Sequence, residues 1–128
     1  MVHLAVSRKG FVLRRLVLLF IAVLCLGSAL PSQAAELVMY RRAGCPYCEA
    51  FDREIGPAYP KTELGKKLPL RQVHIDQGRD RSVELKTPVR FTPTFVLVED
   101  GKEKGRIEGY PGDLFFWSRL ENLCCSAP

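Results

Sequence analysis

The chemistry of this sequence gathers in four residues, Cys45-Pro46-Tyr47-Cys48. Two thiols at this spacing can close a disulfide, hold a soft metal or staple a loop. Their surroundings decide which. Glu36 to Arg42 reads as a strand and Pro46 to Ile55 as a helix. Cys48, Phe51 and Ile55 recur at helical spacing on one face. Pro46 suits the first helical turn, and Gly56-Pro57 suits a stop. At such a join the free N–H groups and the helix dipole favour a thiolate on the first cysteine. The second lies one turn further in, where it can attack a mixed disulfide. Cys45 is therefore expected as an exposed nucleophile and Cys48 as a buried resolving thiol.

The alternatives use the same two residues. A structural zinc site needs four ligands, and the adjacent pair Cys124-Cys125 makes a poor second half of a tetrahedron. A copper or zinc carrier would use Cys45 and Cys48 alone as soft ligands. A second motif separates these readings. In "RFTPTFVLV", Arg90 to Val98, Pro93 stands immediately before an apolar strand. A cis Thr92–Pro93 bond would aim the Thr92 backbone at the cysteines, where its N–H and C=O can hold an extended substrate like an added strand. A metal carrier has no need of that. No metal site is therefore expected.

The elements that must position these residues follow an α/β order. A second strand is expected over Leu68 to Asp76, after a helix around Tyr59 to Lys66. A short helix is expected over Asp80 to Leu85. A buried strand follows at Thr94 to Glu99, then an Asp100-Gly101 hairpin turn and a returning strand, Glu103 to Gly109. The closing helix, Asp113 to Cys124, carries Phe116, Trp117, Leu120 and Leu123 on one stripe, with Asp113 as its N-cap. The order suggests a small sheet covered by helices on both faces.

Upstream lies an export pattern. Residues 1 to 15 carry Arg8, Lys9, Arg14 and Arg15 and no acid. Leu16 to Leu30 is uncharged, and small residues follow at Ser32 and Ala34. This is the pattern of a secretory signal peptide, with the cut expected after Ala34. The apolar run is shorter than the ~20 residues of a spanning helix. Residues 35–128 then form one domain with one core. Four of the nineteen basic residues leave with the signal and all fourteen acids stay, so the net charge falls from +5 to +1. The basic balance of the whole chain is no argument for a nucleic-acid partner. Cys45, Cys48, Cys124 and Cys125 remain in a compartment where disulfides persist. For Cys124-Cys125 a vicinal disulfide, a link between chains and an idle pair all stay open, as does a redox relay should the helix end return to the active site.

From residue 36 to 124 the sequence resembles the thioredoxin superfamily. "RRAGCPYC" resembles a glutaredoxin active site, including Arg42 three residues before Cys45. "VHIDQGRD" and "VRFTPTFVLVEDGK" resemble thioredoxin, and "EGYPGDLFFWSRLENL" resembles the end of periplasmic thioredoxin-like proteins. Within that superfamily it resembles the exported SoxS-type thioredoxins linked to bacterial sulfur oxidation. The resemblance implies a thioredoxin fold, with a central mixed four-stranded sheet covered by helices on both faces and Pro93 cis. It implies a thiol–disulfide oxidoreductase using Cys45 and Cys48, with Thr92, Pro93, Tyr47 and Arg42 meeting the substrate. The expected partners are a periplasmic protein with a disulfide or modified cysteine and a membrane thiol donor of electrons. The protein is expected to act as a monomer without a bound cofactor. The sequence also departs from the family. Gly44 and Met39 stand where thioredoxin has a tryptophan and a buried aspartate, which removes the usual proton acceptor for the resolving thiol. Glutathione-linked exchange, with Arg42 and Asp113 as contacts, is the variant reading.

Overall fold

A computed structural model describes residue 10, residues 12–17 and residues 35–125. The chain divides into two units, Met1–Pro31 and Ser32–Pro128. In the first, the described residues are helical. The expected cleavage at Ala34 lies outside the described residues. Among the described residues no helix is long and apolar enough to cross a membrane.

The second unit is built on four strands: β1 (Glu36–Arg41), β2 (Leu70–His74), β3 (Thr94–Glu99) and β4 (Lys102–Glu108), in the order β2-β1-β3-β4. β1 runs parallel to β2, with Met39 opposite Gln72, and antiparallel to β3, with Met39 opposite Phe95. β3 returns as β4 through Asp100 and Gly101, at φ 52° and 72°. Two left-handed residues in a two-residue loop match the twist of a hairpin, and Asp-Gly supplies them at low steric cost.

The central strands β1 and β3 are apolar without alternation because both faces of the sheet are covered. On one face Leu37, Met39, Phe95, Leu97 and Ile107 pack under Phe51, Tyr59, Phe116 and Leu120. These last residues come from α1 (Pro46–Glu54), from the 3-10 turn Tyr59–Lys61 and from the closing helix. On the other face Val38, Tyr40, Val96 and Val98 meet Val73, Ile75, Val83, Leu85 and Val89.

The short helix expected over 80–85 does not form. The Asp80 carboxylate accepts from the Ser82 N–H at 2.9 Å and from its hydroxyl at 2.6 Å. Such a local turn competes with helix. Glu84 then pairs with Lys102 as an isolated parallel bridge. A 3-10 turn, Ile75–Gln77, and an irregular stretch after it cover this second face.

The helix expected over Tyr59 to Lys66 is divided. Thr62 is extended at ψ 156° and its hydroxyl accepts from the Gly65 N–H, so it starts a new helix, α2 (Glu63–Lys67). The closing helix, α3, spans Asp113–Cys125. Asp113 lies inside its first turn instead of capping it. The Phe116 N–H bonds to the carbonyl of Gly112, so the helix is entered from Gly112. The Asp113 charge still sits where the helix dipole favours it.

Candidate active site

β1 delivers the chain to the site. Past Arg41 it turns through Gly44, at φ 67°, a conformation that favours glycine, and enters α1 at Cys45. The Ala43 N–H donates to the Asp76 carboxylate at 2.9 Å, which ties this turn to the segment after β2. Cys45 is the N-cap of α1, with Pro46 at the first helical position. Its sulfur accepts from the Cys48 N–H at 3.2 Å.

Cys45 and Cys48 are disulfide-bonded, with Cα atoms 5.3 Å apart. Cys48 is fully buried, and Phe51, one turn on, packs on Phe95, Phe116 and Tyr110 with ring centroids 4.8 to 5.7 Å away. These contacts fix the helix that carries both sulfurs. Cys45 is only 6% exposed. The expected exposed nucleophile is thus a nearly covered one.

The Thr92–Pro93 peptide bond is cis. The Thr92 carbonyl oxygen lies 3.4 Å from the Cys45 sulfur. Pro93 is buried, and its carbonyl accepts from the Gly109 N–H at 2.7 Å. Thr94 donates its hydroxyl to the Phe91 carbonyl at 2.7 Å, and Phe91, one residue before Thr92, is 60% exposed. The Tyr47 ring is 64% exposed.

Arg42, expected to meet the substrate, is exposed and makes no hydrogen bond or ion pair among the described residues. The guanidinium that turns inward belongs to Arg41. It meets the Asp52 carboxylate at 2.7 Å and Gln72 at 2.7 Å. The cause is the strand period: Leu37, Met39 and Arg41 share the face under α1, and Arg42 lies beyond the end of β1. Asp113, the other proposed glutathione contact, is also exposed.

Sequence reasoning missed two further residues. Tyr110 packs on Phe51, and its hydroxyl donates to Glu54 at 2.6 Å, pinning the loop before α3 onto α1. Burial, then the Glu54 carboxylate, pushes its pKa up, so it stays a neutral donor. Asp76 holds the turn before Cys45. Among the described residues no group of three or more His, Cys, Asp or Glu side chains is placed to hold a metal ion.

A disulfide pair at a helix N-terminus, one sulfur beside the carbonyl that precedes a cis proline, on a β2-β1-β3-β4 mixed sheet, defines a thiol–disulfide oxidoreductase of the thioredoxin fold. The chain belongs to the thioredoxin-like family, whose domain model matches residues 28–122. Among solved structures it is similar to the periplasmic thioredoxin SoxS from Paracoccus pantotrophus in its reduced form. The identity is 44% and the TM-score 0.67, over 70% of this chain and 94% of that one. A thioredoxin from Thermus thermophilus, 22% identical with a TM-score of 0.52, covers 83% of this chain and 84% of its own. A thioredoxin-fold protein from Helicobacter pylori, 20% identical with a TM-score of 0.54, covers 75% of each. These last two share the fold alone.

Proposed function

We propose that the protein is an exported, periplasmic reductant that returns electrons to partner proteins bearing a disulfide or a blocked cysteine. The observation that carries this is the Thr92 carbonyl 3.4 Å from the Cys45 sulfur. An extended substrate segment pairing with the Thr92 backbone brings its own sulfur to Cys45. The exposed rings of Tyr47 and Phe91 give that segment apolar contact, and Pro93 shapes the wall beneath it. The basic-then-apolar pattern of residues 1–34 and the similarity to a periplasmic thioredoxin support export.

The chemistry needs no bound cofactor. The Cys45 thiolate attacks the substrate disulfide, forms a mixed disulfide and releases one substrate thiolate. Cys48 then attacks the Cys45 sulfur, and the second substrate sulfur leaves. The departing thiolate takes up the Cys48 proton, a role that suits a site with Met39 in place of a buried carboxylate. The product is the Cys45–Cys48 disulfide, and a membrane dithiol donor restores the thiols. The resemblance to SoxS-type thioredoxins points to partners in bacterial sulfur oxidation.

The test is the reduction potential of the pair, measured against a dithiol redox buffer, together with the redox state of Cys45 trapped in cells. A reductant has a low potential and is found mainly as the dithiol. A pair found mainly as the disulfide in cells, with an oxidising potential, overturns the direction proposed.

A further inference from the structure

Cys124 and Cys125, at the far end of α3, are joined to each other. We infer that this vicinal pair is a second two-electron thiol–disulfide centre, charged and discharged by an external dithiol independently of Cys45 and Cys48. The proposal does not rest on the function proposed above.

The separation follows from the placement of α3. Its first turn is held at the active-site end of the sheet, since the preceding loop bonds to the Pro93 carbonyl through the Gly109 N–H. The helix then runs for 13 residues, roughly 18 Å at 1.5 Å per residue. Its last turn packs where Leu123 comes against Gly105, opposite Leu97 and three residues along β3 from Thr94. Disulfide exchange needs an attacking sulfur in contact with the one attacked. A helix length between the pairs denies that contact within one chain.

The two sulfurs are also unequal. Cys124 is partly buried against the main core cluster, whereas Cys125 is exposed. An external thiolate therefore attacks the Cys125 sulfur. The S–S bond breaks, Cys124 leaves as a thiolate and takes a proton, and a mixed disulfide forms on Cys125. The second thiol of the donor attacks its own mixed-disulfide sulfur, and Cys125 leaves in turn. The donor ends as a disulfide and α3 as a dithiol, two electrons richer. Adjacency favours return to the vicinal disulfide over links to other chains, because the partner thiol is always present at high effective concentration.

The experiment uses the purified wild-type protein equilibrated across a series of oxidised-to-reduced dithiothreitol ratios, then alkylated and cut with trypsin. Cleavage after Arg119 isolates Leu120 to Pro128, which contains only Cys124 and Cys125, and cleavage after Arg42 and Arg53 isolates Ala43 to Arg53 with the other pair. The expected result is that Leu120 to Pro128 passes from no label to two labels in one two-electron transition. In the Cys45→Ser/Cys48→Ser double variant its midpoint ratio should shift by less than about twofold. Two labels at every ratio, a peptide recovered linked to another cysteine, or loss of the transition in the double variant would overturn the inference. The wild-type series reads both pairs without any substitution, so a poorly folding variant does not remove the test.

Discussion

The Cys45 sulfur and the Thr92 carbonyl oxygen lie 3.4 Å apart, although 47 residues separate them in the chain. This relationship places a backbone acceptor beside the attacking sulfur, while the Cys48 N–H reaches the same sulfur from the helix side. Cys45→Ser is expected to reduce exchange to the uncatalysed background. Cys48→Ser should keep the attack and lose the release, so that mixed disulfides with the substrate accumulate. Non-reducing gels and intact mass read this directly. Product release by Cys48→Ser at the wild-type rate would reverse the two roles.

Phe91, one residue before Thr92, and Tyr47, two residues after Cys45, are exposed and lie outside the core. Phe91→Ala and Tyr47→Ala should raise KM for a protein disulfide several-fold each. Turnover of a small disulfide and the urea midpoint should be nearly unchanged, since surface substitutions typically shift stability by less than about 0.5 kcal/mol. Equal losses on both substrates would show that the rings act on the cysteine pair itself and not on docking.

Much of this site could be read from the chain because its signals are local. The cysteine spacing, Pro46, the apolar run from Thr94 and the Asp100-Gly101 turn each act within a few residues. What could not be read depends on contacts formed only in the fold. Whether Arg41 or Arg42 faces α1 turns on where β1 ends, a matter of one residue. The Ala43–Asp76 and Tyr110–Glu54 bonds span 33 and 56 residues. The helix pattern over Asp80 to Leu85 lost to an Asp80–Ser82 turn and to a bridge with β4 that only the tertiary pairing supplies.

Acid should loosen the irregular segment that covers the second face. Glu103 is almost fully buried on β4, where it accepts from Arg106 Nε and Nη2 and from the Lys86 N–H. The Arg106 hydrogen bonds hold its pKa below the ordinary 4.5, against the opposing effect of burial. Asp80 is also lowered: burial raises it, but bonds from Ser82 and Arg71 more than offset that. A folded pKa below the unfolded one gives stability that is complete above the unfolded value. It is lost as pH falls through the folded value. The urea midpoint is therefore expected to hold from pH 7 to about 5 and to fall below about 4.5. Glu103→Gln should cost about 1–3 kcal/mol at pH 7 and flatten the acid slope. An unchanged slope in that variant would remove Glu103 from the acid response.

Arg41 ties α1 to the sheet at the turn after Cys48. Its guanidinium is 13% exposed and reaches Asp52, which is 37% exposed, while its Nε has no partner. Asp52→Ala leaves that cation with Gln72 alone. The expected cost is about 1–2 kcal/mol, the range for a charged hydrogen bond reduced by the partial exposure of Asp52. Arg41→Met combined with Asp52→Ala removes the charge together with its partner. The double variant should lose less than the sum of the two single variants, by about 0.5–1.5 kcal/mol, as expected for residues in direct contact. Urea unfolding of the four proteins measures this coupling. Strict additivity would mean that the pair does not hold α1 to the sheet, and that the aromatic packing of Phe51 does so alone.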